Sequence, residues 1–276
     1  MAMEIPATYT VKNNQKQPDS MIIADSISTL GKRMTTFLLP RFPRCLLAEL
    51  NTHRMLSRNA QSSRAIPVER RISNILEDTY IPLFTKNQKG MVGSEIEQES
   101  ARLAVDMWLH ARDQMIASAR WLSGCGVHKE MANRLLEPFA RIPVLVSGTE
   151  WDNFFLLRTG EDTAPDFRAV ALSMLQQYEL NQPMMVQDND WHWVFRTNEI
   201  EQYPLEEQLL ICAARCARIS YTLFDGSTNP DADLALAQRL IKSGHWSPFE
   251  HIATPCQEGE TANLRGWQSL RTRLGG

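Results

Sequence analysis

The chain has 276 residues and 43% hydrophobic content, enough for a substantial core in one large domain or two small ones. With 22% charged residues and a net charge of -3, it is not a strongly basic nucleic-acid binder, and a local anion site in it suits a small phosphorylated ligand better than a polyanion. No apolar run is flanked like a signal peptide or approaches the roughly 20 residues of a membrane span. The odd, scattered set Cys45, Cys125, Cys212, Cys216 and Cys256 fits reduced thiols, so a soluble cytosolic protein is expected.

Met1 to Ser20 is polar and reads as a loose arm or short edge strand. Met21 to Ala24 and Arg33 to Leu39 are β-branched and apolar runs separated by Ser and Gly, which predicts two strands. Pro40 and Pro43 are expected to break the chain before a helix over Cys45 to Leu56. In that helix Leu46, Leu47, Leu50 and Met55 would face a core and leave Glu49, His53 and Arg54 together on another face. The stretch that follows is dense in His53, Arg54, Ser57, Arg58, Asn59, Gln61, Ser62, Ser63 and Arg64. It reads either as a solvated polar loop or as an anion site, because guanidinium forks and hydroxyls together satisfy phosphate oxygens.

Val68 to Ile81 is amphipathic, and Pro82 to Gly93 is a Gly- and Lys-containing loop that could border a site. Ser94 and Glu97 have capping-box spacing and start a helix expected to run to about Ser123, with Ile96, Leu103, Met107, Ala111, Met115, Ala119 and Leu122 recurring at helical steps. At 1.5 Å per residue such a helix is about 45 Å long, a candidate central scaffold. Lys129 to Leu136 is a second helical stretch carrying Arg134, and Arg141 to Val146 is strand-like or a buried turn. Ser147 to Arg158 opens like a helix start, with Asn153 and Arg158 placed to address one cleft. Pro165 to Leu180 is a helix of ordinary core packing.

Asn181 to Tyr203 is irregular, and its Trp191, His192 and Trp193 read as loop packing, with an aromatic ligand platform as the alternative. Leu205 to Ser220 and Asp231 to Ser243 are helices; Cys212 and Cys216 share a face of the first and read as small buried hydrophobes. In Gly244 to His251 (GHWSPFEH) two histidines and Glu250 suggest a metal, but Pro248 prevents the regular helix that would align them, and no metal is assigned. P-loop, dinucleotide-binding and nucleophile-elbow motifs do not occur.

Four segments spread along the chain are distinctive: GHWSPFEH (Gly244 to His251), ARISY (Ala217 to Tyr221), THRMLSRNAQSSR (Thr52 to Arg64) and NFFLLR (Asn153 to Arg158). In these the chain resembles the flavin-dependent thymidylate synthases, most closely the divergent forms of bacteriophages. In the usual family order the first two segments precede the third, whereas here they come near the C-terminus. A circularly permuted arrangement accounts for this, and the tail LRGWQSLR (Leu264 to Arg271) resembles the approach to the signature, which leaves a duplicated or substituted element as the alternative.

The resemblance implies one α/β domain over residues 1–276, a mixed sheet flanked by long helices, in a homotetramer with active sites between subunits. It implies reductive methylation of dUMP to dTMP with FAD, methylenetetrahydrofolate and NADPH, without a cysteine nucleophile, in the cytoplasm of a bacterium or a phage-infected host, with neither nucleic acid nor membrane as partner. Carried over by position, His53, Arg54, Asn153, Ser220, His245, Ser247 and Glu250 would contact the flavin. Glu49, Gln61, Ser62, Ser63, Arg64 and Arg134 would hold dUMP, and Arg158 would also be catalytic, favouring ionised N3 of the uracil. Thr52, Ala60 and Glu49 depart from the family's Arg, Glu and Gln. These departures keep two other products of the resemblance open: transfer of another one-carbon group such as hydroxymethyl, and a non-catalytic nucleotide-binding protein of the same fold.

Overall fold

The chain alternates apolar residues with period two through its central strands, and each phase feeds a different core. A computed structural model describes residues 19–221, 229–256 and 262–276; most of the polar N-terminal arm lies outside these. In chain order the elements are β1 (Met21–Ser28), β2 (Arg33–Pro43), α1 (Leu47–Leu50), β3 (Ser57–Ala60), α2 (Val68–Glu77), α3 (Gln98–Gly124), α4 (Lys129–Arg134) and β4 (Arg141–Gly148). They continue with α5 (Asp152–Arg158), α6 (Pro165–Leu180), β5 (Met184–Val186), α7 (Leu205–Arg218), α8 (Pro230–Lys242), β6 (Ala253–Pro255), β7 (Trp267–Ser269) and α9 (Leu270–Arg273).

Five strands form a mixed sheet in the order β3-β4-β2-β1-β5, antiparallel except for the β1–β5 pair, and β6 and β7 form a separate antiparallel pair. Phe37, Leu39, Val144 and Val146 point to a core shared with Trp151, Phe154, Phe155 and Phe167 of the α5–α6 region. Leu38 and Leu145, of the opposite phase, point to a second core built with α7. The sheet is thus covered on both faces, the mixed α/β architecture that the sequence resemblance implied. Among the described residues no helix is long and apolar enough to cross a membrane.

Several expected boundaries are corrected. β2 does not stop before Pro40 but runs to Pro43. Leu39 pairs with Val144 and Phe42 with Ile142, so Pro40 and Arg41 face the single residue Pro143 in a bulge, where a missing N–H costs no ladder bond. The helix expected to Leu56 ends at Leu50. There Thr52 Oγ1 donates to the Glu49 carbonyl at 2.7 Å, and the His53 N–H turns back to the Leu50 carbonyl. Ser57–Ala60, expected in a polar loop, is edge strand β3, paired with Ser147–Val144 of β4.

The long helix begins at Gln98 without a capping box, because Ser94 Oγ bonds Gln88 instead. Leu103 and Met107 are exposed there, so α3 lies across the surface rather than through the centre. Ser147 and Gly148 belong to β4, and the following helix starts only at Asp152. The remaining helices stand close to their expected spans, Arg141–Gly148 resolves as a strand, and Cys212, Cys216, Trp191 and His192 are buried packing residues.

Candidate functional site

The side chain of Arg158, at the last turn of α5, reaches back to the turn after α1. Its Nε donates to His53 Nε2 at 2.8 Å, Nη1 to Glu49 Oε2 at 3.3 Å, and Nη2 to the Glu49 carbonyl and Thr52 Oγ1 at 3.2 Å each. The guanidinium also lies 4.8 Å above the ring of Phe167. A His nitrogen that accepts from Arg has no proton, so His53 is neutral with its hydrogen on Nδ1. Burial, with the cations of Arg158 and Arg58 adding to it, holds its pKa down to about 4. The imidazole packs edge-on against Phe154, and Arg58 Nη1 donates to the His53 carbonyl. Glu49, Thr52, His53 and Arg158 are therefore one linked cluster.

A second network shapes the turn after β3. Arg71, buried on α2, donates to Gln61 Oε1 at 2.8 Å and to the Ser62 carbonyl at 3.4 Å, and its own pKa is pulled down to about 10 by burial first and by Arg44 second. Ser63 Oγ donates to Glu137, which also pairs with Arg44, while buried Asn133 caps the Ser63 and Ile66 carbonyls. Gln61 and Ser63 are thereby turned inward as supports, and Ser62 and Arg64 between and beyond them stand exposed.

The segments distant in sequence meet at Asn59 in β3. Its Nδ2 donates to the Cys216 carbonyl of α7 at 2.7 Å and lies 3.5 Å from Ser220 Oγ, and Ser247 Oγ lies 3.5 Å from its Oδ1. Beside this junction is a cavity of about 500 Å3, lined by Arg54, Arg58, Ser247 and Glu250 together with Asn263, Arg271 and other residues of the C-terminal segment. That volume is in the range of ligand pockets. The 3-10 turn Ser247–Glu250, which forms part of the wall, is anchored from behind by His251. His251 Nδ1 bonds Ser147 Oγ (2.8 Å), Ser147 bonds Thr36 (2.6 Å), Thr36 bonds His192 Nε2 (2.8 Å), and His192 Nδ1 bonds Ser26 (2.8 Å), all inside the protein. Burial keeps both rings neutral, at about 4 for His192 and about 3 for His251, where neighbouring His192 adds to the effect.

The structure thus gathers Arg54, Ser247 and Glu250 at the cavity, places Ser220 at its Asn59 junction, and links Glu49, His53 and Arg158 beside it through Arg58. Arg134 is engaged with Glu130 on the exposed face of α4, Asn153 and Arg64 are exposed, and His245 pairs outside with Ser243, away from His251. Arg158 and His245 are not among the described residues that line the cavity. Two lining arginines were not assigned from sequence. Arg58 stood in the cationic run itself, and Arg271 in the tail that resembles the approach to the signature.

A family model described as thymidylate synthase complementing protein matches residues 9–184, which leaves Ala217–Tyr221 and Gly244–His251 on its C-terminal side. Among solved structures, the chain is similar to a UMP/dUMP methylase, PolB from Streptomyces cacaoi, bound with 5-Br UMP. The two are 16% identical with a TM-score of 0.50, over 61% of this chain and 90% of that one. The same methylase bound with 5-Br dUMP is 18% identical with a TM-score of 0.43, over 55% and 67% of the two chains. No curated protein sequence matches.

Proposed function

Because the chain belongs to the thymidylate synthase complementing protein family, as its match over residues 9–184 shows, we propose that it methylates dUMP reductively to dTMP, using FAD, methylenetetrahydrofolate and NADPH. The observation that carries the reading is the junction at Asn59, where β3, α7 and the turn Ser247–Glu250 converge beside an arginine-lined cavity.

In this reading Arg158 faces the pyrimidine edge. Its permanent charge stabilises the anion formed when N3 is ionised, which makes C5 the more nucleophilic carbon. His53 and Phe167 hold that guanidinium in place, and the Glu49 contact at 3.3 Å is the one that yields to the base. Ser62 and Arg64, exposed on a loop whose neighbours are locked inward, offer a hydroxyl and a guanidinium to the nucleotide phosphate, and Arg134, next to the Asn133 that holds the Ser63 carbonyl, would join them on leaving Glu130.

The cavity's donor set of guanidinium and hydroxyl groups fits the diphosphate of a flavin dinucleotide, which Arg54 and Ser247 would hold, with Ser220 at the adjoining Asn59 junction. When bound, the flavin supplies hydride and passes on the one-carbon unit. A homotetramer is supported by the exposed apolar side chains of α3, where Leu103, Met107 and Trp121 are 54%, 66% and 69% accessible. A circular permutation accounts for the position of the GHWSPFEH segment after the family-matched region.

The test is an absorbance spectrum of purified protein, reduced anaerobically with dithionite and then given dUMP and methylenetetrahydrofolate. Return of oxidised flavin with dTMP in the mass spectrum is the expected result. A product heavier by an oxygen identifies hydroxymethyl transfer. Protein that is colourless and takes up no added FAD overturns the flavoenzyme reading.

A further inference from the structure

We propose that Arg271, supplied by the C-terminal segment beyond the family-matched region, is a phosphate-binding residue of the cavity, and that Glu250 is the group that aims it. The inference rests on reading this cavity as a nucleotide site. Among the described residues three guanidinium groups, Arg54, Arg58 and Arg271, line the cavity with one acidic side chain, Glu250, so its side chains carry a local net positive charge in a chain whose overall charge is -3. Such a concentration of like charge in one concave surface is stabilised by an anion that carries more than one negative charge.

Glu250 engages only one corner of the fork: its Oε1 accepts from Arg271 Nη1 at 2.6 Å. Arg271 Nε and Nη2 have no hydrogen-bond partner among the described residues, and neither has the side chain of Arg54. A fork fixed at one nitrogen and open at the other two can still grip a phosphate with two parallel bonds.

The segment that presents Arg271 is fastened independently of any ligand. β7 pairs with β6, the Leu270 N–H donates to the Ile252 carbonyl at 2.8 Å, Trp267 is buried with its indole N–H on the Lys32 carbonyl, and Asn263 Nδ2 donates to Ser57 Oγ at 2.7 Å. The position of Arg271 is therefore set by the fold, and Thr52, held between Glu49 and Arg158, contributes no charge there.

The experiment titrates full-length protein calorimetrically with inorganic pyrophosphate, FAD and dUMP, in wild type and in Arg271→Met, Arg271→Lys, Arg54→Met and Arg273→Met. Arg271→Met is expected to weaken pyrophosphate about tenfold or more, as Arg54→Met does, with a smaller loss for Arg271→Lys. Arg273→Met is expected to bind as wild type, since Arg273 lies over Trp191 and outside the cavity. The FAD and dUMP arms tell whether the bound phosphate is the cofactor's or the substrate's. Should Arg271→Met not fold, Arg271→Lys gives the same reading. Wild type that binds none of the three probes, or Arg271 variants that bind all three unchanged, overturns the proposal. Binding is read without turnover, so a protein that binds through Arg271 but makes no dTMP sinks the enzyme reading alone.

Discussion

Arg158 Nε and His53 Nε2 are joined by a 2.8 Å hydrogen bond between a permanent cation and a ring that must stay neutral to accept it. The pair is the physical link between α5 and the turn after α1, and it sets the direction of the guanidinium.

Replacing Arg158 with Met removes one of the two cations that hold down the His53 pKa, burial being the larger cause. The His53 pKa is expected to rise above about 4 while remaining below its ordinary value, as read by NMR of labelled imidazole. On the proposed reaction, the same variant should lose about 100-fold or more in kcat, because the charge that stabilises the ionised pyrimidine is gone. An unchanged kcat would remove Arg158 from the chemistry.

His53, His192 and His251 are all neutral in the folded chain and have depressed pKa values. Unfolded, each titrates near 6.5. As pH falls from 6.5 towards 4 the unfolded chain takes up protons that the folded chain refuses, so stability is full above 6.5 and drops through that window. His192 alone, from 6.5 to about 4, corresponds to about 3 kcal/mol. Denaturant midpoints measured at pH 7, 5.5 and 4.5 should fall steadily, and a His192→Gln variant should show a shallower fall.

Ser147 sits between Thr36 and His251 in the buried hydroxyl–imidazole chain. Ser147→Ala leaves His251 Nδ1 without its partner, and His251 Nε2 already has none among the described residues. A loss of about 1–3 kcal/mol is expected by chemical denaturation. Because His251 backs the turn Ser247–Glu250, ligand affinity at the cavity should fall with it.

Asp233, buried on α8, accepts from the Nε groups of both Arg215 and Arg218, and Arg215 has no exposed side-chain surface. Asp233→Ala is expected to cost about 3–5 kcal/mol, since it strips a buried cation of the one partner carboxylate that is itself buried. Loss of cooperative unfolding, or a midpoint drop of that size, would show it; a neutral result would mean that the contacts of Arg215 with Glu199, Thr197 and the Phe195 carbonyl suffice.

How much was readable from the chain depended on whether local pattern or tertiary pairing decided the backbone. The span Pro165–Leu180 is fixed by a proline at the first turn and an apolar pattern behind it, and it stands as expected. β3 could not be recognised, because Ser57, Arg58, Asn59 and Ala60 carry no strand propensity and become a strand only by pairing with β4. Pro40 looked like a terminator for the same reason: a bulge that excuses its missing N–H exists only opposite Pro143. The cationic run Thr52–Arg64 was visible as chemistry, yet its division into inward supports, Gln61 and Ser63, and outward groups, Ser62 and Arg64, was set by Arg71, Asn133 and Glu137 from other elements.

By itself the sequence determined the longer helices, the sheet-forming apolar runs and the presence of a guanidinium-rich segment, because side-chain periodicity and charge are local properties of the chain. Only the tertiary structure decided which of those groups share a cavity. Arg58 and Arg271 lie more than two hundred positions apart in the chain and come together because β3 and α9 both pack against the turn Ser247–Glu250.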